Sequence, residues 1–539
     1  MKRQRILLRP SEFLLSEVPR LHADFLSLTI DTSLLLGGHW WGPTKGVRHG
    51  VAGDKTEPLN LSDARLRTYA KALSPAMLRI GGTEADRMCY RMGKKSAPTS
   101  DSQRFPIPQS VQVSRQFQEL PGEGRGLFHE FVLRKGLWRR LHDFIADSGF
   151  SLLFTLSAGP ADRNADGAWV EENARRLIMW TLRKKLPVAA LELGNEVNAF
   201  PFIHGIKSRV SGKRYAEDFE RLGRMARRLD PSIVLVGPAS AVWPGIGEPN
   251  PIMRVLCASP AAMYLDAVSW HWYPQQSSFG RVATRRVNEG NMLNARCLDE
   301  VVRRKARIDT SIAHAASRRL TGKQPENWVT ETAHALYGGE PGLSDTFVST
   351  LWWLDELGLL ASLGVSKVFR QSLVGARYGL LDGDSMDPRP DYFASFLWKK
   401  LMGRQVLTLP PENPAGSKLR IYAHADKAGQ TAARTILAIN TSRKSTFVLS
   451  TEGAAKKNRM DRYLLQGDGS FASRTLLVNG VRAGDDLVFG WGKKAVRTKY
   501  RIAAESDGGT AGKAGTGNGT RVRLDTELPP LSALFLRFE

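Results

Sequence analysis

Eight short apolar runs, interleaved with stretches of helical periodicity, constrain this chain more than any other feature. The runs are residues 25–30, 76–80, 151–156, 189–193, 233–236, 265–270, 328–330 and 365–370. Between them, residues 171–186, 214–229 and 344–363 repeat apolar side chains every three or four positions, as Phe347, Leu351, Leu354, Leu357 and Leu360 do. Strands that alternate with helices lie parallel, because the intervening helix carries the chain back to start the next strand in the same direction. Eight such units predict an α/β fold closed as a (β/α)₈ TIM barrel. After about residue 403 the pattern changes. Residues 419–422, 435–439, 446–449, 474–478 and 531–536 read as strands with no helices between them, which predicts an antiparallel β-sandwich. Residues 7–15 precede the first barrel run and are expected to add a strand to the sandwich. The expected domains are a barrel over 24–402 and a sandwich over 6–20 plus 403–539, with the Gly-rich stretch 506–520 as a flexible loop.

Composition excludes several classes. Of 539 residues, 42% are apolar, which fits a globular chain, and no 18-residue apolar stretch is present to insert into a membrane. The N-terminus starts basic, but Arg9 and Pro10 cut its apolar run short of a secretion signal, so a cytoplasmic location is expected. Cys89, Cys257 and Cys297 are scattered, which argues against a disulfide scaffold or cysteine zinc site and for buried free thiols. No metal or other cofactor is expected, and the chain is expected to act as a monomer. The net charge of +24 favours polyanions. Its basic residues are dispersed: Arg139-Arg140, Arg183-Lys184-Lys185, Arg224 with Arg227-Arg228, Arg303-Arg304-Lys305 and Arg318-Arg319. Two readings stay open, solvated helix surface and an acidic-glycan partner. The signatures of nucleic-acid modules are missing.

The residues that end the runs are polar or aromatic: Asp31, Gly81-Gly82-Thr83, Asn195-Glu196, His271-Trp272-Tyr273, Glu331 and Gln371. In a barrel these positions meet at the strands' C-terminal face, where such folds carry their chemistry. Glu196 and Glu331 follow the fourth and seventh runs, so they are expected to face one another across the mouth. Two apposed carboxyl groups are the working parts of most glycoside hydrolases, one ionised as nucleophile and one protonated as acid. Asn195 is placed to hydrogen-bond a sugar 2-hydroxyl, Tyr273 to orient the nucleophile, and Trp270 and Trp272 to offer faces to sugar rings.

These residues also carry a resemblance. Leu193-Gly-Asn-Glu-Val-Asn198, Ser269-Trp-His-Trp-Tyr273, Leu343-Ser-Asp-Thr-Phe347, Trp353-Leu-Asp-Glu-Leu-Gly-Leu359, Phe369-Arg-Gln371 and Asp391-Tyr392 are similar to glycoside hydrolase family 79, the heparanase and β-glucuronidase family. The likeness runs from residue 25 to residue 531. It implies a barrel with a sandwich built from both chain ends. It implies Glu196 as acid/base, Glu331 as nucleophile, Asn195 at the 2-hydroxyl and Tyr273 beside the nucleophile. Asp31 and Thr83 match residues that bind the glucuronic acid ring. Tyr378 with the backbone of Gly338 and Gly339 matches the group that holds the sugar carboxylate, and Arg281 a basic residue on the cleft rim.

The departures concern the same region. The loop after Glu331 reads Gly338-Gly339-Glu340 where heparanase has three glycines, and heparanase's lysine cluster after the second strand has no clear counterpart. The long loop 94–127 is a candidate to close one end of the cleft. The expected activity is therefore that of a retaining β-glucuronidase on a glucuronide or acidic glycan, leaning to exo-action. Endo-cleavage of heparan-sulfate-like polymers is the alternative, and a non-catalytic acidic-glycan-binding protein is the alternative from another class.

Overall fold

The computed structural model describes residues 2–39, 55–93, 131–280, 282–319, 323–409, 417–430, 432–452, 460–491, 502–503 and 523–538. All eight expected strands form and close into one parallel barrel in chain order. They are β1 (Leu26–Asp31), β2 (Ala76–Gly81), β3 (Phe150–Leu156), β4 (Ala190–Leu193), β5 (Val234–Val242), β6 (Ala267–Trp272), β7 (Glu326–Thr332) and β8 (Lys367–Arg370). Asp31, Gly81, His271 and Glu331 thus belong to the last residues of their strands rather than following them.

Side chains alternate in and out along a strand, so residues two apart stack as layers inside a barrel. The lowest layer is apolar: Met77, Leu153, Ala190, Val236, Ala267, Trp328 and Phe369 pack together as one buried cluster. Two residues further along most of these strands the layer turns polar: Arg79, Thr155, Glu192, Ser269 and Thr330, each fully buried. The apolar plug excludes water from below, and the polar layer above it becomes the floor of the site. On β7 the alternation is broken. Trp270 pairs with Val329 but His271 pairs with Glu331, so a bulge inserts an extra residue at Thr330. Such a bulge re-aims the residue beyond it. Strict alternation from Trp328 would send Glu331 outward; the bulge turns it into the mouth.

The second region is a β-sandwich built from both chain ends. Its large sheet is antiparallel and runs through Leu14–Leu15, Gln405–Thr408, Leu419–Ala425, Thr435–Asn440, Ser532–Phe538, Met460–Gly467, Leu476–Val478 and Val481–Arg482. A three-stranded sheet of Lys2–Leu8, Ser445–Glu452 and Arg523–Leu528 faces it. Ile6, Leu8, Ile421, Ile436, Leu449, Leu534 and Leu536 form the core between the two. The N-terminal segment thus gives a strand to each sheet, and Lys2–Leu8 lies parallel to its neighbour, unlike the antiparallel pairing expected. Residues 506–520 lie outside the described residues.

The helix Phe347–Ser362 joins the two regions, which explains why it is apolar nearly all round. Its Gly358 lies so close to Tyr422 of the sandwich that a Cβ would sit 2.3 Å from the ring. Asp355 accepts from Arg420 at 2.8 Å and from Tyr422 at 2.6 Å across the same seam.

Candidate active site

A buried arginine organises the floor. Arg79 donates from Nε to Glu192 Oε2 at 2.8 Å, from one terminal nitrogen to Glu331 Oε2 at 3.0 Å, and from the other to Asn195 Oδ1 at 2.8 Å. Glu192 in turn accepts from Thr155 at 3.0 Å and Ser269 at 2.8 Å. A buried cation is tolerated only where its hydrogen-bonding groups are matched, and here three acceptors on two strand ends fix one planar fork. Tyr273 donates to the other oxygen of Glu331 at 2.5 Å. Glu331 is therefore held from both sides, with a full positive charge against one oxygen.

Glu196 is held differently. The run Gly194-Asn195-Glu196 makes a tight turn at the end of β4: Gly194 has φ 72°, and a Cβ there would lie 2.5 Å from the Val197 side chain. Glu196 itself is left-handed, with φ 50° and ψ 43°, an uncommon conformation for a non-glycine residue. Asp86 fastens this turn by accepting from Asn195 N at 2.9 Å and Ala158 N at 2.8 Å, so one buried carboxyl ties the ends of β3 and β4. The Glu196 carboxyl meets His271 Nδ1 at 3.0 Å. Burial pushes its pKa up to about 7, against a weaker opposing pull from Arg79. Burial also lowers His271 to about 4, so the ring beside Glu196 is neutral near pH 7. Glu196, His271 and Glu331 each offer an atom within 4.8 Å of the other two. That trio is the one set among the described residues with metal-ligand spacing. It does not suit a cation, because the Arg79 guanidinium already supplies the positive charge at Glu331.

Around this pair the remaining predicted residues gather unevenly. Asp31 ends β1, accepts from Ser33 N at 3.1 Å and lies 3.4 Å from Gln371 Nε2. Its pKa is raised well above the usual carboxylate range by burial, then by Glu84 and Glu331. Tyr378 is buried beside Tyr273, with ring centroids 6.5 Å apart. Burial and the charges of Glu331 and Asp31 push its phenol well above 10. Gly338 and Gly339 have φ 83° and 84°, and a Cβ on Gly339 would lie 3.1 Å from Tyr378 N. Glu340, which replaces the third glycine, turns away and accepts from Ser278 N at 2.7 Å and Ser277 Oγ at 3.0 Å. Thr83 begins the turn Thr83–Arg87 just past β2 and is partly exposed. Arg281 and the loop 94–127 lie outside the described residues.

Residues 20–358 match the family described as Glycosyl hydrolase family 79, N-terminal domain. The chain belongs to glycosyl hydrolase family 79. It is 31% identical to a protein named Heparanase from Rattus norvegicus, over 85% of this chain and 83% of that one. It is 26% identical to Heparanase-like protein 3 of Arabidopsis thaliana, over 95% of this chain and 86% of the relative. In fold it resembles a 4-O-α-L-rhamnosyl-β-D-glucuronidase from Fusarium oxysporum, with a TM-score of 0.60, 14% identity, and coverage of 98% and 100% of the two chains. This family 79 protein is a glycoside hydrolase.

Two sequence readings need correction. Trp270 and Trp272 are 0% and 1% exposed, and the Trp270 indole donates to Asn327 at 2.8 Å, so both are core and offer no face to a sugar. They lie on β6, whose alternation turns them into the packing around the barrel. Arg304, grouped with surface residues, is buried in an ion pair with Glu300. Sequence reasoning also gave no role to Arg79 and Glu192. The available signal was a charge inside a run otherwise apolar enough to be a buried strand, which in a barrel means a paired charge in the interior.

Proposed function

We propose that this protein is a retaining β-glucuronidase that releases terminal β-linked glucuronic acid. The observation that carries the mechanism is the spacing of two carboxyl groups of opposite character. Oxygens of Glu196 and Glu331 lie within 4.8 Å, which accords with the separation of about 5–5.5 Å in retaining enzymes and not with about 6.5–9.5 Å in inverting ones. Glu331, ionised against Arg79, attacks the anomeric carbon. Glu196, whose buried carboxyl holds its proton up to about pH 7, gives that proton to the leaving oxygen. Water then attacks the glycosyl-enzyme as Glu196 takes a proton back, and Glu331 leaves as carboxylate. Asn195, with its carbonyl oxygen held by Arg79, presents its amide N–H groups to the sugar 2-hydroxyl.

The uronate preference rests on Tyr378 and the Gly338-Gly339 backbone, neutral donors suited to a carboxylate. The family likeness to heparanase supports the same substrate class. Asp31 and Thr83 take ring hydroxyls in this reading, and Arg281 guides acidic chains from the rim. Exo-action follows from the length of the loop 94–127 and the missing lysine cluster. The net charge of +24 favours endo-cleavage of a polymer as the second reading. Product analysis separates them. Incubation with a heparan-type polymer and, in parallel, a small aryl β-glucuronide should release monosaccharide from chain ends and free aglycone. Internal fragments would establish endo-action, and proton NMR showing α-glucuronate as the first product would end the retaining assignment.

A further inference from the structure

Beyond Glu196 the chain climbs the end of β5 instead of returning to the barrel. Glu196 N donates to Ala239 O at 3.1 Å, and Asn198 exchanges two bonds with Ala241, at 2.9 and 3.0 Å. The short helix Phe200–Ile203 then packs Ile203 against Ala241 and Trp243. Phe202 lies against the Trp243 indole, with centroids 5.8 Å apart and planes tilted by 40°. The segment thus runs on directly from the acid glutamate, and it and the hairpin it packs on carry three exposed apolar side chains. Phe202 is 54% exposed, Ile206 76% and Ile246 56%.

The hairpin is built firmly. Trp243 and Gly247 close it through reciprocal backbone bonds of 2.8 Å. Beneath it, Glu300 accepts from Gly245 N at 2.9 Å while Arg304 and Arg285 hold its carboxylate. Glu248 anchors the far end by accepting from Ser240 Oγ at 2.6 Å and Met253 N at 2.9 Å. Several buried polar groups thus support a tip at which Ile246 stands exposed. Exposed apolar surface beside a cleft marks a binding surface.

Its position assigns the occupant. A general acid stands beside the leaving oxygen, so the leaving group lies along the surface that continues from that acid. We infer that the exposed Phe202 and Ile246, with the buried Trp243 indole backing Phe202, form an aglycone platform that receives the flat, uncharged face of the group bonded to glucuronate. This rests on the glucuronidase reading and adds what lies on the other side of the scissile bond.

The test compares a naphthyl β-glucuronide with methyl β-glucuronide in the wild type, Phe202→Ala, Phe202→Trp and Trp243→Ala. The ratio of kcat/KM between the two substrates cancels effects on the chemistry at glucuronate. It should fall about tenfold in Phe202→Ala, the scale of one aromatic contact, and recover in Phe202→Trp. Phe202 is exposed, so its substitution leaves folding intact where Trp243→Ala does not. An unchanged ratio in Phe202→Ala overturns the platform, as does a variant that loses only heparan-type polymer binding. If the wild type turns over neither glucuronide, the glucuronidase reading falls. Tryptophan-fluorescence titration with naphthyl β-glucuronide then decides the platform separately: weaker binding by Phe202→Ala supports it, and equal or undetectable binding in both proteins overturns it.

Discussion

Glu331 and Glu196 share one small space, and the barrel surrounds them in opposite ways. Glu331 sits on the β2–β7 side, where a charged guanidinium and a phenol donate to its two oxygens. Glu196 sits on the β4–β5 side, where burial favours the acid and the neighbouring imidazole is neutral. Nothing in the two side chains differs. The contrast comes from Arg79, which touches one carboxyl directly and the other only through the field across the site. A single buried cation placed off-centre between two identical groups divides them into nucleophile and acid.

The largest effect expected from breaking this contrast is loss of the nucleophile. Glu331→Gln should lower kcat/KM on an aryl β-glucuronide by about 10⁴-fold or more, since an amide cannot form the glycosyl-enzyme. Near-normal turnover would remove Glu331 from that role. Glu196→Ala should cost about 10²–10⁴-fold on poor leaving groups. On a nitrophenyl glucuronide, which leaves without a proton, the loss should be much smaller. Azide should restore part of the Glu196→Ala rate and yield a β-glucuronyl azide. An α-azide from this variant would mean the two roles are reversed.

A smaller effect lies in the pH profile. Glu196 works as acid while protonated, and its pKa stands at about 7. The kcat/KM for a poor leaving group should therefore fall as pH rises through about 7, while Glu196→Ala with a nitrophenyl substrate should lack that limb. A wild-type profile still rising at pH 9 would contradict the burial-raised acid.

The barrel was legible because each of its strands is a compact apolar run and the connecting helices keep their own period. The positions of Glu196 and Glu331 were legible because each ends such a run. What remained hidden depended on pairing between strands. Arg79 and Glu192 stand 113 positions apart, and no local pattern says that they meet. The bulge on β7 is a property of its register against β6 and leaves no mark in the sequence, although without it Glu331 would face away. Trp270 and Trp272 misled for a related reason: proximity to the site in sequence says nothing about which side of β6 a residue occupies. The platform at Phe202 and Trp243 likewise joins two loops whose contact only the folded barrel creates.

The smallest effect is on stability, and its sign discriminates best. Glu196 has a folded pKa of about 7 against an ordinary value of 4.5. A raised carboxyl pKa contributes stability that is complete below about pH 4.5 and is lost as pH rises through about 7. Above that, the folded state carries an ionised group it disfavours, by an amount on the order of 3 kcal/mol for such a shift. Replacing Glu196 with the neutral isostere Gln removes this penalty, so Glu196→Gln should melt higher than the wild type at pH 8 and close to it at pH 4. Glu331→Gln does the reverse. It takes a charged partner from Arg79, which keeps Glu192, and breaking one arm of a buried pair costs about 3 kcal/mol or more at pH 8. The two substitutions are chemically identical and lie within one site, so thermal melts at both pH values compare their surroundings directly. If both variants move the melting temperature in the same direction at pH 8, the barrel does not treat the two glutamates differently, and the division of roles by Arg79 is wrong.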